Sequence, residues 1–343
     1  MTQQPHDPVG ALREVAYLME RSMADSYRIK AFRHAADVVA ALDVTERDAH
    51  TRDGSWGTLA GVGTTSVTII EQALAGRIPD YLARKRAEAK PLVVPEPALR
   101  AQLRGDLHTH STWSDGGSPV EEMMLTARAL GHEYCAVTDH SPRLRIARGL
   151  SAERLTEQLD LIADLNEVMA PFRVLSGIEV DILDDGALDQ SPFLLNRLDI
   201  VVASVHSKLG MDAESMTHRM VAAVANPLVD VLGHCTGRLL RGERGTRGES
   251  RFDAEVVFEA CRHFGVAVEI NSRPEREDPP LALMELARDI GCLFSIDTDA
   301  HAPGQLDFLS YGAARAEQAA IPADRIITTW PLARLLEWTA STH

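Results

Sequence analysis

The hydrophobic positions of the first ninety residues recur at helical spacing. Apolar side chains lie three and four residues apart in 9–23 and again in 26–42. Asp25 and Ser26 are typical of the residues that cap a helix, and they precede the second stretch. A glycine turn, Gly61-Val62-Gly63, leads into a further apolar stretch over 66–75. The pattern therefore predicts a small, wholly helical domain over residues 1–90.

The hydrophobic pattern changes after residue 104, where short apolar runs alternate with helical stretches. Seven of these runs read as strands, at 105–108, 134–138, 173–179, 200–206, 229–234, 266–271 and 292–297. Ser118 with Glu121 forms a capping-box pattern before one intervening helix, and Ser151 fits the cap of the next. Seven βα units joined in this way predict a parallel sheet closed into a barrel over 104–343. Prolines 91, 95 and 97 make 91–103 the predicted linker.

Metal-ligand-type residues follow six of the seven predicted strands. Because the carboxyl ends of barrel strands share one rim, these side chains are expected to meet there. A single histidine is usually an ordinary core or surface residue, so the prediction rests on the series. Imidazoles and carboxylates without thiolates suit zinc, manganese or iron, and nine ligands fit two or three divalent ions. The predicted ligands are His108, His110, Asp115, His140, Glu179, His206, His234, Asp299 and His301.

Such a site indicates metal-assisted hydrolysis of a phosphate ester. A carboxylate such as Glu179 can bridge two ions, and two ions about 4 Å apart are the usual arrangement for phosphoryl hydrolysis. Glu179, His206, Lys208 and Arg238 are the predicted catalytic residues, and the sequence contains no GxSxG nucleophile motif. Lys208, Arg238 and Arg273 follow strand ends and could bind the substrate phosphate. Salt bridges to the acidic groups of the rim are the equally weighted alternative.

Composition narrows the class of protein further. Residues 1–103 contain 13 Lys+Arg and 13 Asp+Glu, so the whole net charge of −15 falls on the remainder of the 343 residues. An acidic domain repels polyanions unless bound cations offset its charge, which argues against broad nucleic-acid coating. The apolar runs are shorter than the roughly 20 residues of a membrane span. With a polar N-terminus and four scattered cysteines, the sequence predicts a cytoplasmic protein with reduced, buried thiols and no membrane partner.

The motifs at the strand ends resemble those of the polymerase and histidinol phosphatase (PHP) superfamily. The matching segments are 106–110 with Asp115, 138–140, 177–179, 204–206, 233–234 and 299–301. The resemblance implies a distorted (β/α)7 barrel with a trinuclear metal site. It assigns His108, His110, Glu179 and Asp299 to the first ion, Glu179, His206 and His234 to the second, and Asp115, His140 and His301 to the third. The superfamily often has His where Asp115 stands, and Asp remains a competent oxygen ligand there.

A narrower resemblance links the chain to bacterial family-X DNA polymerases. Segments 231–240, 269–271 and 297–306 resemble their PHP domain, and 12–42 with 59–75 resemble their helix-hairpin-helix domain. That domain implies DNA-phosphate contacts from Gly61, Val62, Gly63 and Thr64, while a purely structural role is the alternative. Their polymerase palm and fingers are missing between the two regions, so polymerase activity is not expected.

Three functions are compatible with these observations. The leading one is hydrolysis of phosphodiesters or terminal phosphates at DNA 3′ ends, of the 3′-5′ exonuclease or end-processing type. The second is a small-molecule phosphomonoesterase of the histidinol phosphatase kind, with a small phosphate ester in place of DNA as partner. The third is a DNA-binding protein whose barrel is catalytically idle.

Overall fold

A computed structural model describes residues 7–242 and 245–342, which divide into two compact units. The first unit contains the chain up to Pro91 together with the short segment Ala302–Gln305. The second contains Leu92–His301 and the chain from Leu306 onward. Residues 92–103, predicted as a linker, thus group with the second unit, where Ala98–Gln102 forms a short 3-10 helix. Within the described ranges, none of the helices is sufficiently long and apolar to span a bilayer.

The first unit consists of helices whose apolar faces meet in one core. Leu12, Val15 and Met19 of the first helix are almost fully buried, as are Ile69 and Ile70 of the fourth. The two long predicted helices are present, and the predicted cap at the second is formed, since the Asp25 carboxylate accepts a hydrogen bond from the Arg28 amide. The helices are α1 (Pro8–Arg21), α2 (Ser26–Ala41), α3 (Val44–Asp53), α4 (Thr64–Leu74) and α5 (Asp80–Glu88).

The turn before α4 depends on a glycine. Gly61 has φ +87°, and a Cβ there would lie 2.3 Å from two ring atoms of His34. We expect Gly61→Ala to lower the stability of the α3–α4 region by about 1–2 kcal/mol, because a Cβ is strained at positive φ even if the exposed His34 ring moves away. Hydrogen exchange of the α4 amides in the full chain measures this loss.

Gly57→Ala is the matched control for that substitution. Gly57 lies outside the positive-φ region, and its Cβ would meet only Val67 at 3.8 Å, an ordinary contact. We expect no loss of protection in this variant. Equal protection of α4 in both variants would contradict the conformational requirement at Gly61.

The second unit is a barrel of seven parallel strands in sequential order. Each strand pairs with the next along the chain, and a parallel bridge between Thr109 and Ala300 joins the segments that follow the first and last strands. The barrel is therefore nearly closed, as the sequence predicted. The strands are β1 (Gly105–Asp106), β2 (Tyr134–Val137), β3 (Arg173–Asp181), β4 (Ile200–Ser204), β5 (Val231–Leu232), β6 (Ala267–Asn271) and β7 (Phe294–Asp297).

Strict alternation along the strands separates core packing from site chemistry. In β3, Ile178 and Val180 pack in the large core cluster, whereas Glu179 and Asp181 carry carboxylates on the other face. In β6, Ile270 joins the same cluster, and its neighbours are polar. Because side chains of a strand point to opposite faces in turn, residues two apart on one strand reach the same pocket.

The helices of the second unit connect the strands, as parallel pairing requires. They are α6 (Val120–Ala129), α7 (Ala152–Met169), α8 (Pro192–Leu195), α9 (Ala213–Val224), α10 (Ala254–Phe264), α11 (Leu281–Ile290), α12 (Leu309–Gln318) and α13 (Leu332–Thr342). Ser151 caps α7 as predicted. The capping box predicted at Ser118 was wrong: Pro119 is the N-cap of α6, and no side chain caps this helix. The four cysteines are buried and free, as predicted.

Candidate metal centre

One buried carboxylate lies at the middle of the predicted ligand set. Glu179, on β3, is 1% exposed, and its Oε1 lies 2.9 Å from His234 Nε2 and 3.2 Å from His206 Nε2. Its Oε2 lies 2.8 Å from His140 Nδ1, 3.4 Å from His108 Nε2 and 3.5 Å from His110 Nε2. Five imidazoles delivered by four other strands thus surround the two oxygens of one side chain.

A second concentration of ligands lies next to the first and shares His110 and His140 with it. His110 Nε2 is 3.4 Å from Asp299 Oδ1, and His140 Nε2 is 3.4 Å from Asp115 Oδ1. His301 approaches both carboxylates, with Nε2 3.3 Å from Asp115 and Nδ1 3.4 Å from Asp299. His140 therefore presents one ring nitrogen to Glu179 and the other to Asp115. The structure brings together all nine residues that the sequence singled out.

The donor atoms fit divalent ions. Three groups have all their donor atoms within 4.8 Å of one another, and atoms bound about 2.0–2.3 Å from one ion lie up to about 4.6 Å apart. His108 Nε2 and His110 Nε2 are buried without a hydrogen-bond partner among the described residues, so both are available to an ion. The groups are His108 with His110 and Asp299, His140 with Glu179 and His206, and His110 with Asp115, His140 and His301.

Buried carboxylates orient several of these imidazoles from behind. Glu269, fully buried on β6, has Oε1 2.6 Å from His108 Nδ1, and its Oε2 accepts a hydrogen bond from the His234 amide at 2.5 Å. Asp181 contacts His206 Nδ1 on the side away from Glu179. Carboxylates in this position fix the ring orientation and the tautomer of a ligand histidine. Glu269 lies in segment 269–271 of the narrower resemblance, but neither Glu269 nor Asp181 was predicted as a site residue.

Asp139 fixes the loop that carries Asp115. Its carboxylate accepts hydrogen bonds from the Ser111 amide at 2.8 Å, the Ser111 hydroxyl at 2.6 Å and Gln158 Nε2 at 2.6 Å, and it also contacts Ser114. All of these groups are buried. Asp139 therefore acts as a positioning residue for the β1–α6 loop, while its neighbour His140 turns into the site.

Two arginines that follow β6 contact Asp299. Arg276 Nε lies 3.2 Å from Asp299 Oδ2, and Arg273 Nη1 donates to the Asp299 carbonyl at 3.1 Å and lies 3.0 Å from His301 Nδ1. Arg276 is 8% exposed, and its Nη1 has no hydrogen-bond partner within the described part of the chain. Arg276 was not among the residues that the sequence analysis singled out.

The other cations proposed for phosphate binding are paired elsewhere. Lys208 forms an ion pair with Asp184, and its side chain is 64% exposed. Arg238 donates to the carbonyls of Arg276 and Glu277 and lies 3.2 Å from a Glu249 oxygen. These contacts correspond to the salt-bridge alternative that the sequence left open. Substrate binding by Lys208 and Arg238 stays a prediction.

The predicted DNA-contact residues lie in the first unit. Gly61, Val62 and Gly63 connect α3 to α4, Gly63 is the N-cap of α4, and no side chain caps that helix end. The first amides of α4, starting at Thr64, are thus left without a side-chain acceptor. Such amides are the groups with which a helix N-terminus binds a phosphate.

Burial and charge together set the ionisation of the acidic groups. Burial opposes ionisation of Glu179, but the charges of His206 and His108 bring its pKa well below its usual value. Deeper in the barrel, burial raises the pKa of Asp106 to about 6. Burial and the charge of Asp106 raise the pKa of Asp297 well above its ordinary value. Glu179 therefore ionises readily and can bind cations, whereas Asp106 and Asp297 are more readily protonated.

Comparison with known proteins finds one domain family that matches part of the chain. Residues 106–273 match the PHP domain family. The DNA polymerase/3'-5' exonuclease PolX of Bacillus subtilis is 39% identical over 217 residues, which cover 63% of this chain and 37% of that protein. The chain therefore matches well under half of the length of this relative.

Shorter relatives match over most of their length. A probable phosphatase of Thermoanaerobacter sp. strain X514 is 27% identical over 65% of this chain and 89% of its own, and one of Aeromonas hydrophila is 28% identical over 67% and 91%. Among solved structures, the histidinol phosphate phosphatase of Lactococcus lactis, in complex with zinc, L-histidinol and phosphate, matches with a TM-score of 0.46 and 17% identity. The match covers 64% of this chain and 94% of the Lactococcus lactis chain.

Proposed function

This chain carries a PHP domain, and on that premise we propose that it is a divalent-metal-dependent phosphoesterase that hydrolyses phosphodiesters or terminal phosphates at DNA 3′ ends. The observation that carries the proposal is the surrounding of Glu179 by five imidazoles at 2.8–3.5 Å. A buried carboxylate among so many imidazole donors suits two or three zinc, manganese or iron ions. Glu179 and His206 are the proposed catalytic residues.

Bound divalent ions supply a water of lowered pKa and positive charge at the phosphoryl oxygens. The residues of the chain determine where this chemistry takes place. Glu269 and Asp181 hold the rings of His108 and His206 in one orientation, and Asp139 holds the loop that carries Asp115. A site held in this way needs little rearrangement when the substrate binds.

Arg276 is the cation that we propose for the substrate phosphate. Its Nε is engaged by Asp299 at 3.2 Å, while its buried Nη1 has no partner among the described residues. A guanidinium donor matches the geometry of a nonbridging phosphoryl oxygen. Lys208 and Arg238, which the sequence offered for this role, have other partners.

DNA is the proposed substrate because of the narrower similarity and the first unit. The 39% identity to a protein named as a polymerase and 3′-5′ exonuclease supports a DNA end over a metabolite. The uncapped N-terminus of α4 after Gly63 supports phosphate contacts from Gly61, Val62, Gly63 and Thr64. No polymerase activity is proposed.

A small-molecule phosphomonoesterase is the second candidate. It is favoured by the probable phosphatases, which this chain covers over about nine-tenths of their length. The net charge of −15 also opposes a long polyanion.

The test is hydrolysis of a 3′-labelled DNA duplex in the presence of manganese, beside p-nitrophenyl phosphate as a generic phosphomonoester. We expect stepwise shortening from the 3′ end by the wild-type protein and none by the Glu179→Gln variant. Turnover of the phosphomonoester with the DNA left intact would instead assign the second function.

A further inference from the structure

The loop that follows strand β2 is anchored at a proposed metal ligand. The β2 loop, residues 141–149, begins immediately after His140. The amide of Leu150, just past its end, donates a hydrogen bond to the His140 carbonyl at 2.7 Å. Its stem is tight: a Cβ at Gly149 would lie 1.8 Å from the Ser141 carbonyl oxygen. Asp189 holds the loop from the side, since it accepts hydrogen bonds from the Ser141 hydroxyl at 3.0 Å and the Arg143 amide at 2.5 Å.

The outer part of the β2 loop carries unpaired cations around one exposed apolar side chain. Arg143, Arg145 and Arg148 are exposed, and Ile146 is 94% exposed. In the described part of the chain, these three guanidinium groups form neither a hydrogen bond nor an ion pair. The charge of Arg143 helps to lower the pKa of Asp184, but the hydrogen bond from Lys208 to that carboxylate has the larger effect. The loop itself contains no acidic residue.

This lack of partners distinguishes the β2 loop from the loops after neighbouring strands. Lys208 after β4, Arg238 after β5, and Arg273 and Arg276 after β6 all contact carboxylates. Carboxylates are abundant in a domain that carries the whole net charge of −15, yet none of those in the described part of the chain pairs with these three arginines. The β2 loop therefore keeps a local positive charge beside a site that acts on anions.

We propose that the β2 loop binds the backbone of a single nucleic-acid strand whose 3′ end lies in the metal centre. Guanidinium groups bind backbone phosphates without regard to sequence and also contact the faces of unpaired bases, and the exposed Ile146 adds apolar surface between them. This inference rests on the proposed function and adds the surface that would hold the strand upstream of the hydrolysed bond. A single exposed isoleucine between arginines offers little apolar area for a folded protein partner.

The test compares two double variants of the full-length, metal-loaded protein. R143Q/R145Q removes two charges from the loop. R128Q/R197Q removes two exposed arginines from the end of α6 and from the approach to β4, at the opposite ends of the strands. Binding of a fluorescent 12-nucleotide strand with phosphorothioate 3′ linkages is followed by anisotropy across a salt series.

We expect R143Q/R145Q to weaken binding about tenfold and to reduce the slope of log K against log salt by about 1.4, since each phosphate contact on a single strand contributes about 0.7. The control pair should bind like the wild type, and the loss should be smaller for a trinucleotide, which is too short to reach along the loop. An affinity and a salt slope equal to those of the control pair would refute the proposal. So would an equal loss for both strand lengths, or stronger competition by poly-glutamate than by the strand.

The outcome is separable from that of the proposed function. If the wild type fails to hydrolyse DNA but binding still depends on Arg143 and Arg145, the proposed function fails and the strand-binding loop stands. If DNA is hydrolysed and binding does not depend on Arg143 and Arg145, the proposed function stands and the strand-binding loop is refuted.

Discussion

Glu179→Gln should abolish metal-dependent hydrolysis, with a fall of at least about 10³-fold, while the barrel remains folded. The substitution keeps the size of the side chain and removes the one negative charge that five imidazoles surround at 2.8–3.5 Å. A neutral amide cannot bridge two cations in the way a carboxylate does, and loss of one central group commonly reduces turnover by several orders of magnitude. Hydrolysis of the labelled DNA end, with metal content measured on the same sample, reports both consequences.

Glu167→Gln is the matched control for this prediction. Glu167 is an exposed residue near the C-terminal end of α7, so its substitution removes the same charge far along the helix from the site. Circular dichroism should show the same helix content in both variants. Full activity and full metal content in Glu179→Gln would mean that Glu179 does not hold the ions.

The metal ligands could be predicted from the sequence because two simple rules of strand geometry combine. Alternation along a strand sends every second side chain to one face, and parallel strands end at one rim. Glu179 follows from these rules directly, because β3 continues through it. His206 keeps the same alternation, although it lies two residues beyond Ser204, the last residue of β4. The barrel architecture was predictable for the same reason.

Strand length was less predictable, for a physical reason visible at the ligands. Strand β1 ends at Asp106 and β5 at Leu232, two residues before the histidines that they were expected to contain. At these histidines, side-chain carboxylates replace the strand ladder as acceptors: the His108 amide donates to Asp106 and the His234 amide to Glu269. The hydropathy pattern does not indicate where a side-chain carboxylate replaces a backbone carbonyl as the hydrogen-bond acceptor.

The supporting residues were not predictable as site residues. Glu269 lies within an apolar strand, and Arg276 lies in an irregular loop, so no spacing links either to the ligands. Only the fold brings Glu269 to His108 and Arg276 to Asp299. The Ser118 cap failed for a local reason, since the proline that follows it takes the N-cap position of α6.

Removal of the divalent ions should lower the thermal stability of the second unit markedly. Glu179, Asp299 and the imidazoles near them are buried, and apart from the arginines at Asp299 their charges and lone pairs need bound cations or protons for compensation. Ions that bind only the folded barrel stabilise it by about 4 kcal/mol per site at a thousandfold excess over Kd, and about 1 kcal/mol shifts the melting temperature of a domain this size by roughly 2–4 °C. We therefore expect chelation to lower the melting temperature by about 10 °C or more in calorimetry, and re-addition of manganese or zinc to restore it. Glu179→Gln should respond much less to the chelator, because it retains fewer ions. If metal analysis proves the ions absent and the melting temperature of the wild type is unchanged, the nine residues do not form a metal centre that is coupled to folding.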